Sequence, residues 1–285
     1  MGGGKTDMKT DIVIWSYERP AQLDLLIRSI YDKYFNHGQI FVLLDYQDVN
    51  KADKIYKRVM DKYPDIVFYY SQGLFKTQML EILSRCASRY VLGLCDDDVF
   101  IKDIDIDYLL PYFDDNVHAI SLKHGREITH CYPNRPVSQP HFLEDNKILK
   151  WQWYEKDIGN DWYYGVCINT YIYRTQFLYD ILNRMSFNNP TTIEGGMHSI
   201  FNLYRSSCRE TVRPYLISPL ECKILNIPVN RVQNLSPNRF GIEHEQTTEY
   251  INNMWNNGNE IDNSNIYDYN NYQAQHEIKF LFRRI

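Results

Sequence analysis

Along this chain, apolar residues come in short compact runs, separated by stretches in which they recur three and four residues apart. Asp11-Ile-Val-Ile-Trp15-Ser16-Tyr17 is the first run, stopped by Glu18-Arg19-Pro20. Leu23, Leu26, Ile27 and Ile30 then predict a helix over Ala21–Lys33. Gln39–Leu44 reads as a second strand ending in Asp45, with a polar helix over Lys51–Lys62 behind it. Ile66–Tyr70 is the third strand, after which Gly73 and Lys76 introduce a helix through Leu83. The fourth run, Tyr90–Cys95, ends in three successive carboxylates, Asp96, Asp97 and Asp98. Strand and helix alternating at this spacing predict a parallel sheet with crossover helices. The carboxyl ends of such strands face the crevice in which open α/β sheets bind ligands.

The rhythm changes after Asp103. A short helix over Asp107–Phe113 and a strand over Ala119–Leu122 lead into a long polar loop, residues 124–150. Trp151–Ile172 is aromatic strand material, followed by helices over Arg174–Met185 and from Pro190 to about Tyr204, and a last apolar segment, Leu216–Ile227. Beyond Asn230 the chain is polar, with one amphipathic stretch (Tyr250, Ile251, Met254, Trp255) and a basic tail, Lys279–Arg284.

Three adjacent aspartates repel one another unless something positive sits among them. A hard divalent cation answers this, because Mg²⁺ or Mn²⁺ takes carboxylate oxygens and leaves positions for phosphate. A solvated acidic turn is the alternative, and the apolar strand leading into the triplet argues against it. The opening Met1-Gly-Gly-Gly-Lys5-Thr6 lacks the first glycine of a phosphate-binding loop and has no strand before it, so it reads as a flexible leader. His124, His130 and Cys131 have no partner pair at metal-ligand spacing.

Composition changes the picture in a few places. With 24 tyrosines and 5 tryptophans against 13 glycines, the chain is rich in flat faces that stack on sugars or bases. A net charge of −5 argues against nucleic acid as a partner. The 6 cysteines are scattered, with no C-x-x-C pair, which predicts reduced thiols. No secretory apolar region and no membrane-spanning run is visible, so the expected location is the cytoplasm. The basic tail is expected to pack on the domain, with at most weak, reversible contact with an anionic membrane.

With these residues in place, the chain resembles a GT-A-fold glycosyltransferase, similar to the family 2 (inverting, Asp-x-Asp) type. The resemblance rests on Ser16-Tyr17-Glu18-Arg19-Pro20 before a Leu-rich helix, Asp45 closing the second strand, Gly73 and Lys76 opening the third helix, and Asp96-x-Asp98 after the fourth strand. It implies an α/β fold: a GT-A-like, Rossmann-type, mostly parallel sheet flanked by helices, with an acceptor-side subdomain and a C-terminal extension. After the leader, 1–10, residues 11–105 would be the nucleotide-sugar half, 106–230 the acceptor-binding and catalytic half, and 231–285 the extension. The donor would be a nucleotide-diphosphate sugar and the acceptor a hydroxyl of a free, lipid-linked or protein-linked glycan. Asp98 would hold Mn²⁺ or Mg²⁺ with Asp96 assisting and Asp97 beside them, and loss of Asp98 should abolish turnover with the fold intact. Asp45 would meet the nucleobase edge, or cap a turn. Ser16, Tyr17, Arg19 and Lys76 would line the base and ribose, Lys76 alternatively being a solvated helix-start lysine.

An inverting transfer also needs a base for the acceptor hydroxyl. The resemblance places it at Glu194, taken as a first-turn residue beside Gly195 and Gly196, with Asp161 the runner-up. A dipole-complementing glutamate and an Asx-turn aspartate are their structural readings. Arg231, Arg239 and His244 belong to a tail that folds over the diphosphate in similar enzymes, with His244 as a possible third metal ligand. Trp151, Trp153, Trp162 and Tyr163 would form an acceptor platform or pack in the core. A retaining transferase, a sugar nucleotidyltransferase (whose glycine-rich loop after the first strand is absent here) and an inactive sugar-binding protein are the alternatives.

Overall fold

The computed structural model describes residues 9–143, 146–154, 159–207, 213–230 and 246–284, with backbone alone for 203–207. Residues 1–8 of the expected leader, 1–10, lie outside the described residues, as do Arg231, Arg239 and His244, while Thr10 already belongs to the first strand. Eight strands form the central sheet: β1 (Thr10–Ser16), β2 (His37–Leu44), β3 (Val67–Tyr70), β4 (Tyr90–Cys95), β5 (Val117–Ser121), β6 (Ile148–Gln152), β7 (Tyr171–Arg174) and β8 (Tyr215–Pro219). Their spatial order is β6-β8-β5-β7-β4-β1-β2-β3. β1 runs parallel to β2 and β4, β2 to β3, and β5 to β8, whereas β7 is antiparallel to both β4 and β5, and β6 to β8. The fold is therefore mixed α/β with a mostly parallel sheet, as the alternation predicted.

Burial explains the compact apolar runs. Every residue of β1 is buried, which is the pattern of a strand covered on both faces. Helix α1 (Pro20–Lys33) starts with Pro20, whose ring pre-sets the first helical turn, and buries Leu23, Leu25, Leu26, Ile27 and Ile30. Each such aliphatic side chain contributes about 1.5–3 kcal/mol when removed from water. Helix α2 (Val49–Lys62) buries only Ala52, Tyr56 and Val59, a narrow stripe at four- and three-residue spacing, and Asp48 caps its start by accepting from the Asn50 and Lys51 N–H groups. Helices α3 (Phe75–Arg85) and α4 (Thr175–Asn183) pack on each other, and α1 packs on α2 and on α6 (Thr248–Asn256). Helix α5 (Pro190–Ser207) follows α4 after a short connection and buries Ile193, Met197 and Phe201, one residue per four.

Three differences from the sequence-based elements matter. The expected helix over Asp107–Phe113 is a pair of 3₁₀ turns, Ile106–Tyr108 and Leu110–Tyr112, with Pro111 in the second removing an N–H that an α-helix would use. The long loop contains a small ribbon, pairing His130–Cys131 with Arg135–Pro136, before β6 begins. The basic tail is a strand, Leu281–Arg284, antiparallel to Asn259–Asp262, with Arg283 bonded to Glu260 at 2.7 Å. Among the described residues no helix is long and apolar enough to cross a membrane. The five described cysteines are free thiols.

Candidate active site

Topology gathers the chemistry at one edge of the sheet. β1, β2, β3, β4, β5 and β8 all point the same way, so the segments that leave them collect at their carboxyl ends. Tyr17 and Arg19 follow β1, Asp45 follows β2, Gly73 follows β3, Asp96–Asp98 follow β4, and Lys123 follows β5. Asn226 arrives on a short strand after β8, Ile224–Asn226, which pairs with Asp98–Phe100 and sets Asn226 opposite Asp98.

The three carboxylates are not equivalent. Asp96 Oδ2 accepts from Ser16 Oγ at 2.7 Å and from the Tyr17 N–H at 3.1 Å. Its Oδ1 takes the Arg19 guanidinium at 3.0 Å, and the same nitrogen donates to Asp97 Oδ2 at 2.8 Å. Asp98 Oδ2 accepts from the Cys95 N–H at 2.7 Å, and its Oδ1 accepts from the Asn226 and Asn169 amides at 2.9 and 3.4 Å. Asn226 also donates to Asp97, at 2.8 Å. The Asp98 side chain is fully buried, while those of Asp96 and Asp97 are 6% and 16% exposed. Burial raises the Asp96 carboxyl to about 6 against the pull of Arg19, and burial together with the neighbouring Asp97 raises Asp98 to about 8.

This arrangement revises the expected ligand set. The positive group among the aspartates is Arg19, and Asp98 is tied into the turn that ends β4 rather than being the outermost carboxylate. Hard oxygen donors with unused lone pairs suit a divalent ion, and Asp97 with Asp96 are the more accessible of the three. Among the described residues no group of three or more His, Cys, Asp or Glu side chains is placed to hold a metal, so phosphate oxygens or water would have to complete any such site. The expectation that Asp98 can be lost with the fold intact is replaced by its opposite. Asp98→Ala strands the Cys95 N–H and the Asn169 amide and leaves Asn226 only its bond to Asp97, and should cost about 1–3 kcal/mol per buried group left unpaired. Thermal unfolding checks this: a melting temperature equal to that of the parent would contradict it.

Beside the carboxylates lies a cleft of about 550 Å³, lined by Tyr17, Asp45, Tyr46, Gln47, Asp48, Lys51, Gly73, Phe75 and Asn188. Tyr17 and Tyr46 stand 5.2 Å apart by ring centroid and Lys51 lies over the Tyr46 ring, so the wall combines aromatic faces with charge. Asp45 does not cap α2, a task Asp48 performs, and its carboxylate is left to the cleft. Glu18 adopts φ +57° after Tyr17 and donates its N–H to Tyr46 at 3.0 Å, fixing the mouth of the cleft. Ser16 is buried between Asp96 and Tyr56, so it orients the carboxylate rather than lining the cleft. Lys76 is not a lining residue either; it donates to the backbone carbonyls of Asn183 and Met185 at 3.1 and 2.6 Å.

Glu194 sits in the second turn of α5, not the first, because Asn189 caps the helix by accepting from the Thr192 N–H at 2.9 Å. Its two oxygens accept from the Ile168 N–H at 2.8 Å and the Tyr164 hydroxyl at 3.0 Å. They anchor the 164–170 segment, whose Asn169 reaches Asp98. That segment is held tightly at its far end. Thr170 adopts φ +62°, a conformation costing a β-branched residue about 1–3 kcal/mol, and its N–H donates to the Gly93 carbonyl at 2.7 Å. A Cβ on Gly93 would run into the Ile168 carbonyl and the Trp15 ring, so only glycine allows this approach.

Lys123 was not singled out by the sequence. It is 6% exposed, donates to Cys167 Sγ at 3.2 Å and lies over the Tyr171 ring. Burial works against its charge, but the Cys167 sulfur, Tyr171, Asp161 and Glu194 outweigh it and hold the ammonium protonated. Both base candidates thus contribute to keeping one buried cation charged. Asp161 opens the 3₁₀ turn Asp161–Tyr163 and donates its N–H to Cys131 at 3.1 Å. Trp151, Trp153 and Trp162 are core residues whose indole N–H groups donate to backbone carbonyls, which removes them from any acceptor platform; Tyr163 is half-buried. Position after a strand could have flagged Lys123 and Asn226, whereas nothing local marks Asn169 or Asn188.

A cleft at the carboxyl edge of a mostly parallel sheet, next to a carboxylate cluster, defines an α/β protein with the ligand-binding crevice of that class. No family model matches the chain. It is 23% identical over 264 residues to the bifunctional glycosyltransferase pgtA of Dictyostelium discoideum, covering 80% of this chain and spanning 33% of the relative. Among solved structures, TarS of S. aureus, residues 1–349, is similar at 17% identity and a TM-score of 0.41, over 61% of this chain and 49% of that one. The 4-diphosphocytidyl-2C-methyl-D-erythritol synthase of Anaerococcus prevotii is similar at 10% identity and a TM-score of 0.39, over 70% and 86% of the two chains.

Proposed function

We propose that this chain is a GT-A-type glycosyltransferase moving a sugar from a nucleotide diphosphate to a hydroxyl of a glycan acceptor, with inversion. The observation that carries this reading is the cleft itself. Aromatic faces at Tyr17 and Tyr46, a free carboxylate at Asp45 and the Lys51 ammonium suit a nucleoside, and the Asp96–Asp97 pair stands after the adjoining strand. Similarity to pgtA, which is named a bifunctional glycosyltransferase, supports the same reading, although the chain spans a third of that protein.

In this reading the aromatic wall and Asp45 bind and orient the base. Asp97, with Asp96, would hold Mn²⁺ or Mg²⁺, which would supply Lewis-acid neutralisation of the diphosphate leaving group. Arg19 pairs with both carboxylates and aims them. Glu194 accepts the proton of the attacking hydroxyl, with Asp161 as the alternative acceptor, and Lys123 keeps that side of the site positive while charge moves.

Calorimetry with UDP, GDP, CDP and ADP tests this reading. At least one should bind in Mn²⁺ or Mg²⁺ and lose most of its affinity in EDTA, and Asp97→Asn, assayed below its own melting temperature, should reproduce the EDTA result. Absence of binding by all four sinks the nucleotide assignment, and binding indifferent to EDTA sinks the metal.

A further inference from the structure

The segment between α4 and α5 links the cleft to the helix that carries Glu194. Its residue Asn188 lines the cleft with Tyr17 and Asp45, while Asn189 and Thr192 form the cap from which α5 starts. The segment is fastened to the start of α3 at two points. Lys76 donates to the Asn183 and Met185 carbonyls, and Phe187 packs edge-on against Phe75 at 6.2 Å. Asn183 is the last residue of α4, where the helix dipole favours a cation. Met185 in turn lies against Gly196 of α5, where a Cβ would collide with it. Gly73 and Phe75, just before Lys76, line the same cleft.

We propose that Lys76 is a positioning residue: by holding residues 183–188 down on α3, it sets Asn188 over the nucleotide cleft and fixes where α5 begins. The ammonium touches no ligand in this scheme. It acts through two backbone carbonyls, and Asn188 is the group through which its effect reaches the nucleotide. This rests on the reading of the cleft as the nucleotide site.

The geometry makes the two residues one unit, which a double-mutant cycle measures. Calorimetry in Mn²⁺ with whichever of UDP, GDP, CDP and ADP the parent binds should find Lys76→Met and Asn188→Ala each weakening binding roughly tenfold, about 1.4 kcal/mol. The double variant should bind no more weakly than the worse single one. Lys76→Arg, which keeps a donor for the carbonyls, should recover most of the affinity. Melting temperatures of all variants are measured alongside. Parent-like nucleotide affinity in Lys76→Met, with or without a lowered melting temperature, overturns the proposal. Additive losses in the double variant also overturn it, since Lys76 would then act independently of Asn188. If the parent binds none of UDP, GDP, CDP and ADP, the assignment of the cleft fails and this inference with it; if the parent binds one of them and the variants match it, only the inference fails.

Discussion

Glu194→Gln is expected to leave nucleotide affinity near that of the parent and to lower transfer to acceptor by roughly a hundred- to ten-thousand-fold, the usual effect of removing a general base. The contacts of Glu194 make this substitution clean. Its oxygens accept from the Ile168 N–H and the Tyr164 hydroxyl. Glutamine keeps a carbonyl for Ile168 and offers an amide to the Tyr164 oxygen, so the 164–170 segment and its Asn169 contact with Asp98 should survive. Basicity alone is removed. Because the proton moves only in the transition state, kcat should fall while nucleotide dissociation constants hold. A folded, fully active Glu194→Gln variant paired with a dead Asp161→Asn variant transfers the role to Asp161. Retention of the donor's anomeric configuration, seen by NMR of the first product, removes the need for either base.

The second large effect is expected at Arg19. Its guanidinium is held between Asp96 and Asp97, and its other terminal nitrogen donates to the Asn230 carbonyl at 3.1 Å. Arg19→Met removes the cation and leaves its two carboxylates behind, which for a buried pair costs about 3–5 kcal/mol. At about 2–4 °C per kcal/mol for a domain near this size, the melting temperature should fall by roughly 6–20 °C. The deficit should depend on pH with a definite sign. Asp96 already has a folded-state value raised to about 6, above its ordinary range, and loses a charge partner in the variant. Acidification that protonates the carboxylates relieves the uncompensated charge. The gap between parent and variant should therefore be widest well above pH 6, where the carboxylate is charged in both, and narrow as pH falls toward about 6. A gap that widens on acidification would show that Arg19 does not stabilise the fold through these charges. Alkaline conditions leave the guanidinium protonated throughout and offer no equivalent test.

Some of this site was legible from the chain. Asp45, Tyr17 and the aspartate triplet follow compact apolar runs, and the rule that ligands collect at the carboxyl ends of parallel strands places them together before any coordinates are known. The same rule, applied to the strand at residues 117–121, would have flagged Lys123, but the break in the strand–helix rhythm after Asp103 hid that strand's direction. The resemblance puts Lys76 and Ser16 at the base and ribose, whereas Ser16 bonds Asp96 and Tyr56 and Lys76 bonds two backbone carbonyls. A serine or lysine in a motif gives no indication of whether it meets a ligand or the chain itself.

The sequence by itself determined the alternation of buried strands with amphipathic helices, because hydrophobic periodicity is written within a few residues and needs no distant partner. It also determined that three carboxylates would crowd one strand end and need compensation. Which group compensates them was decided by tertiary structure alone. Arg19 reaches Asp96 across 77 residues of chain, and Asn226 reaches Asp98 across 128. A carboxylate's environment depends on which atoms arrive beside it in space. Those arrivals follow from β1 lying parallel beside β4 and from the pairing of Asp98–Phe100 with Ile224–Asn226. Burial then separates three adjacent identical residues into a structural acceptor at Asp98, an Arg-paired carboxylate at Asp96 and the most accessible of the three at Asp97.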